Sequence, residues 1–240
     1  MLSIGIDVGG TFTDFFGIDK NGNTEFVYKE QSTPADPSLG VIAGLNGMAR
    51  SFNLDLGDVA HIYHGTTVGT NAILEHRGAK VGLITNSGFR DILQIGRHQR
   101  PEHYSIRQDI PWQSKQLIQR KFRKTVNCRL DHLGNEITPL DEPKIYDICK
   151  FFKEHAIEAV LVAFLFSYRN NSQEERAAKI VHEILPNAFV TTSSRVSPQF
   201  REFERFTTGA VAAFIGPKVK TYINNLNNKL NEFCPNTQLR

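Results

Sequence analysis

Apolar and polar residues alternate along the first thirty positions with the period of β-strands. Apolar residues then recur at helical spacing from Leu39 to Met48, after a Pro-containing break. Strand and helix patterns continue in turn as far as residue 95. The predicted elements, in chain order, are strands Leu2–Val8, Thr11–Ile18 and Thr24–Lys29, a helix through Leu39–Met48, strand His61–His64, helix Val68–His76, strand Lys80–Thr85 and helix Phe89–Ile95 with Ser87 as its cap. An Asn-Gly pair within 20–23 predicts the second hairpin turn.

Less regular sequence follows, and then a second alternation of helices and strands. The segments around Arg100–Pro101 and 110–112 are predicted to be loops. The elements predicted after them are helix Glu142–His155, strand Ala159–Phe166, helix Gln173–Leu185, strand Ala188–Thr192 and a helical pattern from Phe203 to about Phe233. Strand Ala159–Phe166 is apolar throughout, as expected of a central parallel strand. Gly216–Pro217 suggests that two helices meet within the last pattern.

This order predicts an α/β protein. Three strands with short connections are expected to be antiparallel, and the next two, which follow helical crossovers, to be parallel. Such a mixed sheet is typical of the ribonuclease-H-like half of actin-like ATPases. We therefore expect a ribonuclease-H-like phosphate-binding subdomain over residues 1–95, a second α/β subdomain over 96–192, and a helical segment over 193–240.

Composition narrows the function classes. The 240 residues are 40% hydrophobic and carry a net charge of +3, which is too mild to argue for nucleic acid binding. The basic cluster Arg120–Lys124 is predicted to be a solvated strand or loop face. Three widely spaced cysteines form no metal or disulfide pattern and suggest a reduced, cytoplasmic protein. No signal peptide and no membrane span are predicted.

The turn between the first two strands carries the most informative chemistry. Gly9 and Gly10 allow close approach of a ligand to the backbone, and Thr11 and Thr13 supply hydroxyls, so this turn is expected to hold phosphates. Asp7 ends its strand where it can hold Mg²⁺ through water. Asp14 is a second acidic candidate, for the same water network or as a base. The alternative is a simple hairpin with polar tips.

Further candidates follow three other strand ends. His64, Thr66, Thr67 and Asn71 lie on a strand–turn–helix segment where an anion or polar carbonyl of a substrate is expected, the alternative being a helix cap and a buried histidine. Arg97 and Arg100 are candidates to line a cleft for an anionic substrate. The alternative, which is favoured for this segment, is a structural role with Arg90–Asp91 as a surface pair. The stretch Phe200–Thr208 is predicted to be an amphipathic helix.

These segments together resemble the hydantoinase A/5-oxoprolinase family of the actin-like ATPase superfamily. The stretches that carry the resemblance are Gly5–Asp14, His64–Glu75, Leu83–Leu93, Pro198–Arg205 and Tyr222. The resemblance implies ATP and Mg²⁺ as cofactors and an ATP-dependent opening of a cyclic amide, by transfer of the γ-phosphoryl group to the amide oxygen. It also implies a hydantoinase B-type subunit or domain as partner, a small cyclic amide as substrate, and a possible homo-oligomer.

Two alternatives stay open from the sequence: the nucleotide-handling subunit of an ATP-dependent ketone carboxylase, and a non-enzymatic actin-like regulator. Family members are usually more than twice this length and have a second glycine-rich phosphate segment. The chain is therefore expected to be an N-terminal portion that supplies one wall of the nucleotide site. Alone, it is expected to bind ATP weakly and not to turn over.

Overall fold

The computed structural model describes residues 2–19, 24–97, 102–108, 110–234 and 237–240. The predicted turn at 20–23 and Arg100–Pro101 fall outside these ranges. The chain forms two compact units. Unit 1 comprises Met1–Glu75 and Lys218–Arg240, and unit 2 comprises His76–Pro217. Each unit has its own sheet and its own hydrophobic core. No helix of the described part of the chain is long and apolar enough to cross a bilayer.

Unit 1 is a mixed five-stranded sheet in the order β11-β4-β1-β2-β3. Its elements are β1 (Leu2–Val8), β2 (Phe12–Asp19), β3 (Glu25–Gln31), α1 (Pro37–Phe52), β4 (Val59–Thr66), α2 (Val68–Leu74) and β11 (Gln238–Leu239). Strands β1, β2 and β3 are antiparallel, whereas β4 runs parallel to β1. This confirms the predicted change from antiparallel to parallel pairing.

Alternation along the strands gives this sheet two different faces. In β1, Leu2, Ile4, Ile6 and Val8 are buried, whereas Asp7 is exposed. The buried residues pack with Val41, Leu45 and Met48 of α1 and with Tyr222, Leu226 and Leu230. The N-cap of α1 is Asp36, whose Oδ1 accepts hydrogen bonds from Ser38 N at 3.1 Å and Ser38 Oγ at 2.6 Å. The sheet therefore has a covered face against helices and an open face that carries Asp7.

Unit 2 is built on a parallel four-stranded sheet in the order β10-β9-β5-β6. Its elements are β5 (Val81–Asn86), α3 (Ile92–Ile95), α4 (Pro111–Ser114), β6 (Arg123–Val126), β7 (Arg129–Leu130), β8 (Glu136–Thr138), α5 (Glu142–Glu154), β9 (Ala159–Ala163), α6 (Ser172–Ile184), β10 (Phe189–Thr192) and α7 (Ser193–Val196). Every residue of β9 is buried, as its apolar sequence predicts.

A buried polar cluster of Glu174, Ser193 and Arg205 lies beyond the ends of β9 and β10. Glu174 Oε1 accepts from Phe164 N at 2.8 Å and from Ser193 Oγ at 2.6 Å, and Oε2 accepts from Ser194 N at 3.0 Å. Arg205 donates to Ser193 Oγ at 3.1 Å, to Phe164 O at 2.8 Å and to Gln199 O at 2.9 Å. Burial lowers the pKa of Arg205, and the Glu174 charge opposes that shift. The cluster is thus internally satisfied.

Several sequence-based predictions need correction. Strand β5 was expected in the first subdomain, but it pairs with β6 and β9 in the sheet of unit 2. The last helix, α8 (Glu202–Phe233), runs through Pro217 as one helix rather than two. The segment 110–112, predicted to be loop, runs into the short helix α4, and the helix predicted over Phe89–Ile95 is confined to α3. The two compact units divide the chain at 75/76 and 217/218, and the three-segment division at 95/96 and 192/193 stays a prediction.

The cysteines are all free and buried. Cys128 and Cys149 belong to unit 2, and Cys234 belongs to unit 1. Burial raises the pKa of Cys128 to about 12 and that of Cys149 to about 11, and it raises the pKa of Cys234 as well. In the native chain these groups are therefore protonated thiols near neutral pH.

Candidate phosphate-binding turn of unit 1

The turn between β1 and β2 is closed by its own backbone and fixed from behind by Ser32. Gly9 N donates to Phe12 O at 3.0 Å. Ser32 N donates to Thr11 O at 2.9 Å, and Ser32 Oγ donates to Gly9 O at 2.8 Å. Ser32 follows β3, so a residue distant in sequence holds the turn from both of its ends. These three hydrogen bonds fix the conformation of the turn.

The two glycines of the turn serve different purposes. A Cβ built on Gly9 would lie 2.8 Å from Phe12 O, so only glycine allows the closing hydrogen bond. A Cβ on Gly10 would meet only Asn71 Nδ2, at the ordinary distance of 3.5 Å. Among the described residues, the N–H groups of Gly10 and Thr11 have no hydrogen-bond acceptor. Gly10 thus leaves open space beside two free backbone donors.

The predicted hydroxyls are divided between the two faces. Thr11 is exposed on the turn. Thr13 is fully buried, and its Oγ1 lies 2.9 Å from Ser32 Oγ. This side chain supports the turn from the covered face, and its expected contact with a phosphate stays a prediction.

The acidic candidates Asp7 and Asp14 are cross-strand partners on the open face. Asp14 Oδ1 forms an exposed ion pair with Lys29 Nζ at 2.9 Å. Within the described ranges, the Asp7 carboxylate forms no hydrogen bond or ion pair. Both border a depression of about 630 Å³, whose other lining residues include Phe16, Val27, Tyr63 and Gly65.

Asp7 suits a hydrated magnesium ion beside phosphates. Mg²⁺ keeps several waters and is usually held by one or two carboxylates together with substrate phosphates. A single unpaired carboxylate next to free backbone donors matches that requirement. The described residues contain no group of three or more His, Cys, Asp or Glu side chains suited to a metal ion. Asp7 is consequently the residue of the turn that fits the ion.

The segment after β4 lies directly beside the turn. Thr67 N and Thr67 Oγ1 both donate to Val8 O, at 3.1 and 3.2 Å. Asn71 Nδ2 donates to Thr67 Oγ1 at 3.3 Å and is the atom next to Gly10. Thr66 Oγ1 accepts from Val68 N at 3.2 Å. Of these three predicted substrate residues, Asn71 places its side chain against the glycine turn, and the threonine hydroxyls fix the local backbone.

His64 lines the same depression as Asp7 and Asp14, but the contacts of its side chain differ from theirs. It is the register partner of the buried Ile6, on the covered face, and its Nε2 forms a 2.5 Å hydrogen bond with Tyr222 Oη. Desolvation lowers the pKa of His64, while the Asp7 charge acts in the opposite direction. Burial, with a smaller effect of the Asp36 charge, raises the pKa of Tyr222. The pair is neutral near pH 7, and its position favours a structural role for His64.

Arg97 belongs to unit 2, where its guanidinium is paired with Glu204. Arg97 Nε donates to Glu204 Oε1 at 2.7 Å, and Nη2 contacts the same oxygen. The hydrogen bond from Arg97 is the largest of the effects that lower the pKa of Glu204. Arg100, the companion candidate, lies outside the described residues.

Sequence reasoning misses the roles of two residues that shape this site. Ser32 lies in a Ser-Thr-Pro break that predicts only a helix start, and nothing local signals its bonds to Gly9 and Thr13. Tyr222 was singled out without a role, since its partner His64 is 158 positions away. Both contacts are products of the tertiary fold.

Comparison with known proteins shows the family to which this chain belongs. Residues 3–185 match the family described as the hydantoinase/oxoprolinase N-terminal region. The chain is 35% identical to caprolactamase subunit alpha of Pseudomonas jessenii over 93% of its own length and 32% of that protein. It is 29% identical to 5-oxoprolinase of Dictyostelium discoideum over 93% of its length and 20% of that protein.

Solved structures give the same result. The crystal structure of ATP-dependent caprolactamase from P. jessenii superposes with a TM-score of 0.85 at 34% identity, covering 99% of this chain and 35% of that one. A nucleotide-free acetone carboxylase structure gives 0.84 at 27% identity, covering 98% and 34%. The chain thus spans about a third of the caprolactamase and carboxylase chains. It belongs to the hydantoinase/oxoprolinase family and corresponds to the N-terminal region of that family.

Proposed function

We propose that the turn at Gly9–Thr11 binds the phosphates of ATP and that the whole protein uses ATP to open a cyclic amide. The observation that carries this proposal is the pairing of two free backbone donors, at Gly10 and Thr11, with the unpaired carboxylate of Asp7. Backbone N–H groups at a tight turn are suited to phosphate oxygens. The similarity to proteins named caprolactamase and 5-oxoprolinase supports an amide as the substrate class.

Each turn residue has a distinct part in this proposal. Gly10 and Thr11 donate to phosphate oxygens, and Gly9 keeps the turn closed. Asp7 holds Mg²⁺ through water, which neutralises phosphate charge as it develops. Asp14, which is paired with Lys29, provides a second carboxylate at the depression that Asp7 borders. Asn71 is the side chain best placed to meet a phosphate or carbonyl oxygen beside Gly10.

The chemistry follows from the inertness of amides. Transfer of the γ-phosphoryl group to the amide oxygen turns that oxygen into a leaving group and releases ADP. A first water then adds at the former carbonyl carbon, and the ring C–N bond breaks to give a free amine and an acyl phosphate. A second water displaces phosphate from that acyl group and leaves the ring-opened carboxylate. The residues of this chain contribute positioning and charge stabilisation to the first step. We propose Thr13 and His64 as positioning residues, since both side chains lie on the covered face.

The second candidate function is the nucleotide-handling subunit of a ketone carboxylase. The observation in its favour is the superposition on acetone carboxylase, which is as close as that on caprolactamase. For either function we propose a partner subunit, of the hydantoinase B type for the amide reaction, because the caprolactamase relative is itself named a subunit.

A substrate panel with the whole protein and its co-purifying partners tests the proposal. We expect ADP release that depends on a cyclic amide such as caprolactam, hydantoin or 5-oxoproline, with a ring-opened product by mass spectrometry. ADP release that instead requires a ketone and bicarbonate would establish the second candidate. Nucleotide binding at full affinity by a Gly10→Ala, Asp7→Asn double variant would contradict the placement of the phosphates.

A further inference from the structure

Unit 2 contains a strongly basic cavity that the proposed function does not use. It lies between the edge strand β6 and helix α5 and has a volume of about 710 Å³. We call it the basic groove and define it by its six cationic residues, Arg90, Arg120, Lys121, Arg123, Lys124 and Lys144. Asp147 is the acidic residue in its lining. The volume is in the range of small-molecule sites.

The fold leaves the positive charge of this groove poorly compensated. Three guanidiniums share one carboxylate, Asp91: Arg120 at 2.9 Å, Arg90 at 3.8 Å and Arg123 at 4.0 Å. The Arg123 side chain is buried, with 2% exposure, and is fixed by Ile118 O at 3.0 Å. The prediction that Arg120–Lys124 forms only a solvated face is therefore wrong for Arg123. A fixed, partly desolvated cation makes the local potential strongly positive.

Lys124 is one of the cations that line this groove. Its Nζ lies 3.6 Å from the centroid of the Phe151 ring. No carboxylate of the described residues lies within ion-pair distance of it. Desolvation lowers the pKa of Lys124, and the charges of Arg90 and Lys144 lower it further. An anion beside Lys124 would offset this repulsion.

We propose that the basic groove binds a small polyanion that carries phosphate groups, at a site separate from the turn of unit 1. Guanidinium and ammonium groups that converge from β6, α5 and the segment before α3 suit several phosphate oxygens at once. A compact ligand fits better than nucleic acid, because the cations surround one cavity and the net charge of the whole chain is only +3.

Calorimetric titration of the 240-residue chain with inorganic tripolyphosphate tests this proposal. Every arm carries Gly10→Ala, so that binding at the turn is weakened equally in all arms and a difference between them reports on the basic groove. The test variant is Lys124→Gln with Lys144→Gln. The matched control is Lys153→Gln with Lys179→Gln, which removes the same charge from exposed positions outside the groove. A hexaglutamate peptide serves as the alternative ligand.

We expect the control to bind tripolyphosphate like the Gly10→Ala parent, and the test variant to bind at least about tenfold more weakly. Binding should also weaken between about 50 and 200 mM salt. Should the test pair fail to fold by circular dichroism, Lys144→Glu alone, at an exposed position, is expected to give the same loss. Equal affinity of test and control, no heat of binding at low salt, or binding of hexaglutamate alone would overturn the proposal.

Discussion

The glycine turn of unit 1 and the buried polar cluster of unit 2 both place polar groups at the ends of strands. They differ in whether those groups have hydrogen-bond partners within the protein. In the cluster, Glu174 accepts three hydrogen bonds and Arg205 donates three, all inside the protein. At the turn, Gly10 N, Thr11 N and the Asp7 carboxylate have no partner among the described residues.

This difference separates residues that stabilise the chain from residues that are available to a ligand. A buried polar group that lacks a hydrogen-bond partner inside the protein lowers the free energy of unfolding. Exposed groups without partners contribute little to stability and keep their hydrogen-bonding capacity. Substitutions in the cluster should therefore change stability, whereas substitutions at the turn should change binding and activity.

The largest effect is expected at Glu174. Replacement by Ala removes three accepted hydrogen bonds and leaves Arg205 as a buried cation, so we expect a loss of about 3–5 kcal/mol in the free energy of unfolding. Urea denaturation followed by circular dichroism measures it. The control is Glu175→Ala, whose carboxylate is 30% exposed and pairs with Arg195, at a cost below about 1 kcal/mol. Equal costs for the two variants would break the comparison.

The next effect concerns activity rather than stability. We expect Asp7→Asn to lower kcat/KM of the whole protein about 100-fold, because the proposed magnesium site loses its carboxylate, and to leave stability within about 0.5 kcal/mol. Steady-state ADP release and thermal unfolding measure the two quantities. Asp14→Asn, which breaks only an exposed ion pair, is the matched control and should cost activity less. A normal rate for Asp7→Asn would refute the magnesium assignment.

The paired glycines give a smaller and sharper contrast. Gly10→Ala fits the fold. It is expected to raise the KM for ATP about tenfold with an unchanged Tm, since its methyl group would enter the space in which we propose that a phosphate oxygen binds. Gly9→Ala is expected to lower the Tm, because its Cβ would press on Phe12 O. Thermal melts together with ATP kinetics separate the two variants. The reverse pattern would show that Gly10 is needed for folding and not for binding.

The smallest effect is a pH dependence at His64. Its folded-state pKa is lower than the unfolded value of about 6.5, so the stability it contributes is complete above that value and is lost as pH falls through the folded pKa. We expect the Tm of the native chain to drop between pH 7.5 and 5, and His64→Gln to reduce that drop. A drop of unchanged size in His64→Gln would assign it to other groups.

How far the sequence predicts this structure depends on the range of the interaction. The alternation of Leu2–Val8 and the glycine pair are local signals, and they predict the hairpin and its open turn correctly. Sheet membership is not local. Strand β5 is buried along its whole length and suits either sheet by pattern, so only the tertiary contacts assign it to unit 2. Burial of Arg123 was missed for the same reason, since its partner Gln116 and the carbonyl of Ile118 are set by an irregular loop.

The magnesium, phosphate and substrate roles of the turn residues remain predictions. The positions of two candidates refine them: Thr13 and His64 belong to the covered face, which period-2 alternation predicts once the register is known. Asn71 gains importance from its contact with Gly10, which sequence spacing alone does not reveal.

The three buried thiols allow the opening of the native chain to be followed by chemical labelling. Ellman's reagent reacts with thiolate, and that form is scarce while Cys128, Cys149 and Cys234 stay enclosed. The rate of colour development near neutral pH would consequently measure how often the fold opens and exposes these thiols. Because Cys234 belongs to one unit and the other two cysteines to its companion, peptide mapping of the modified sites would time the opening of each unit independently.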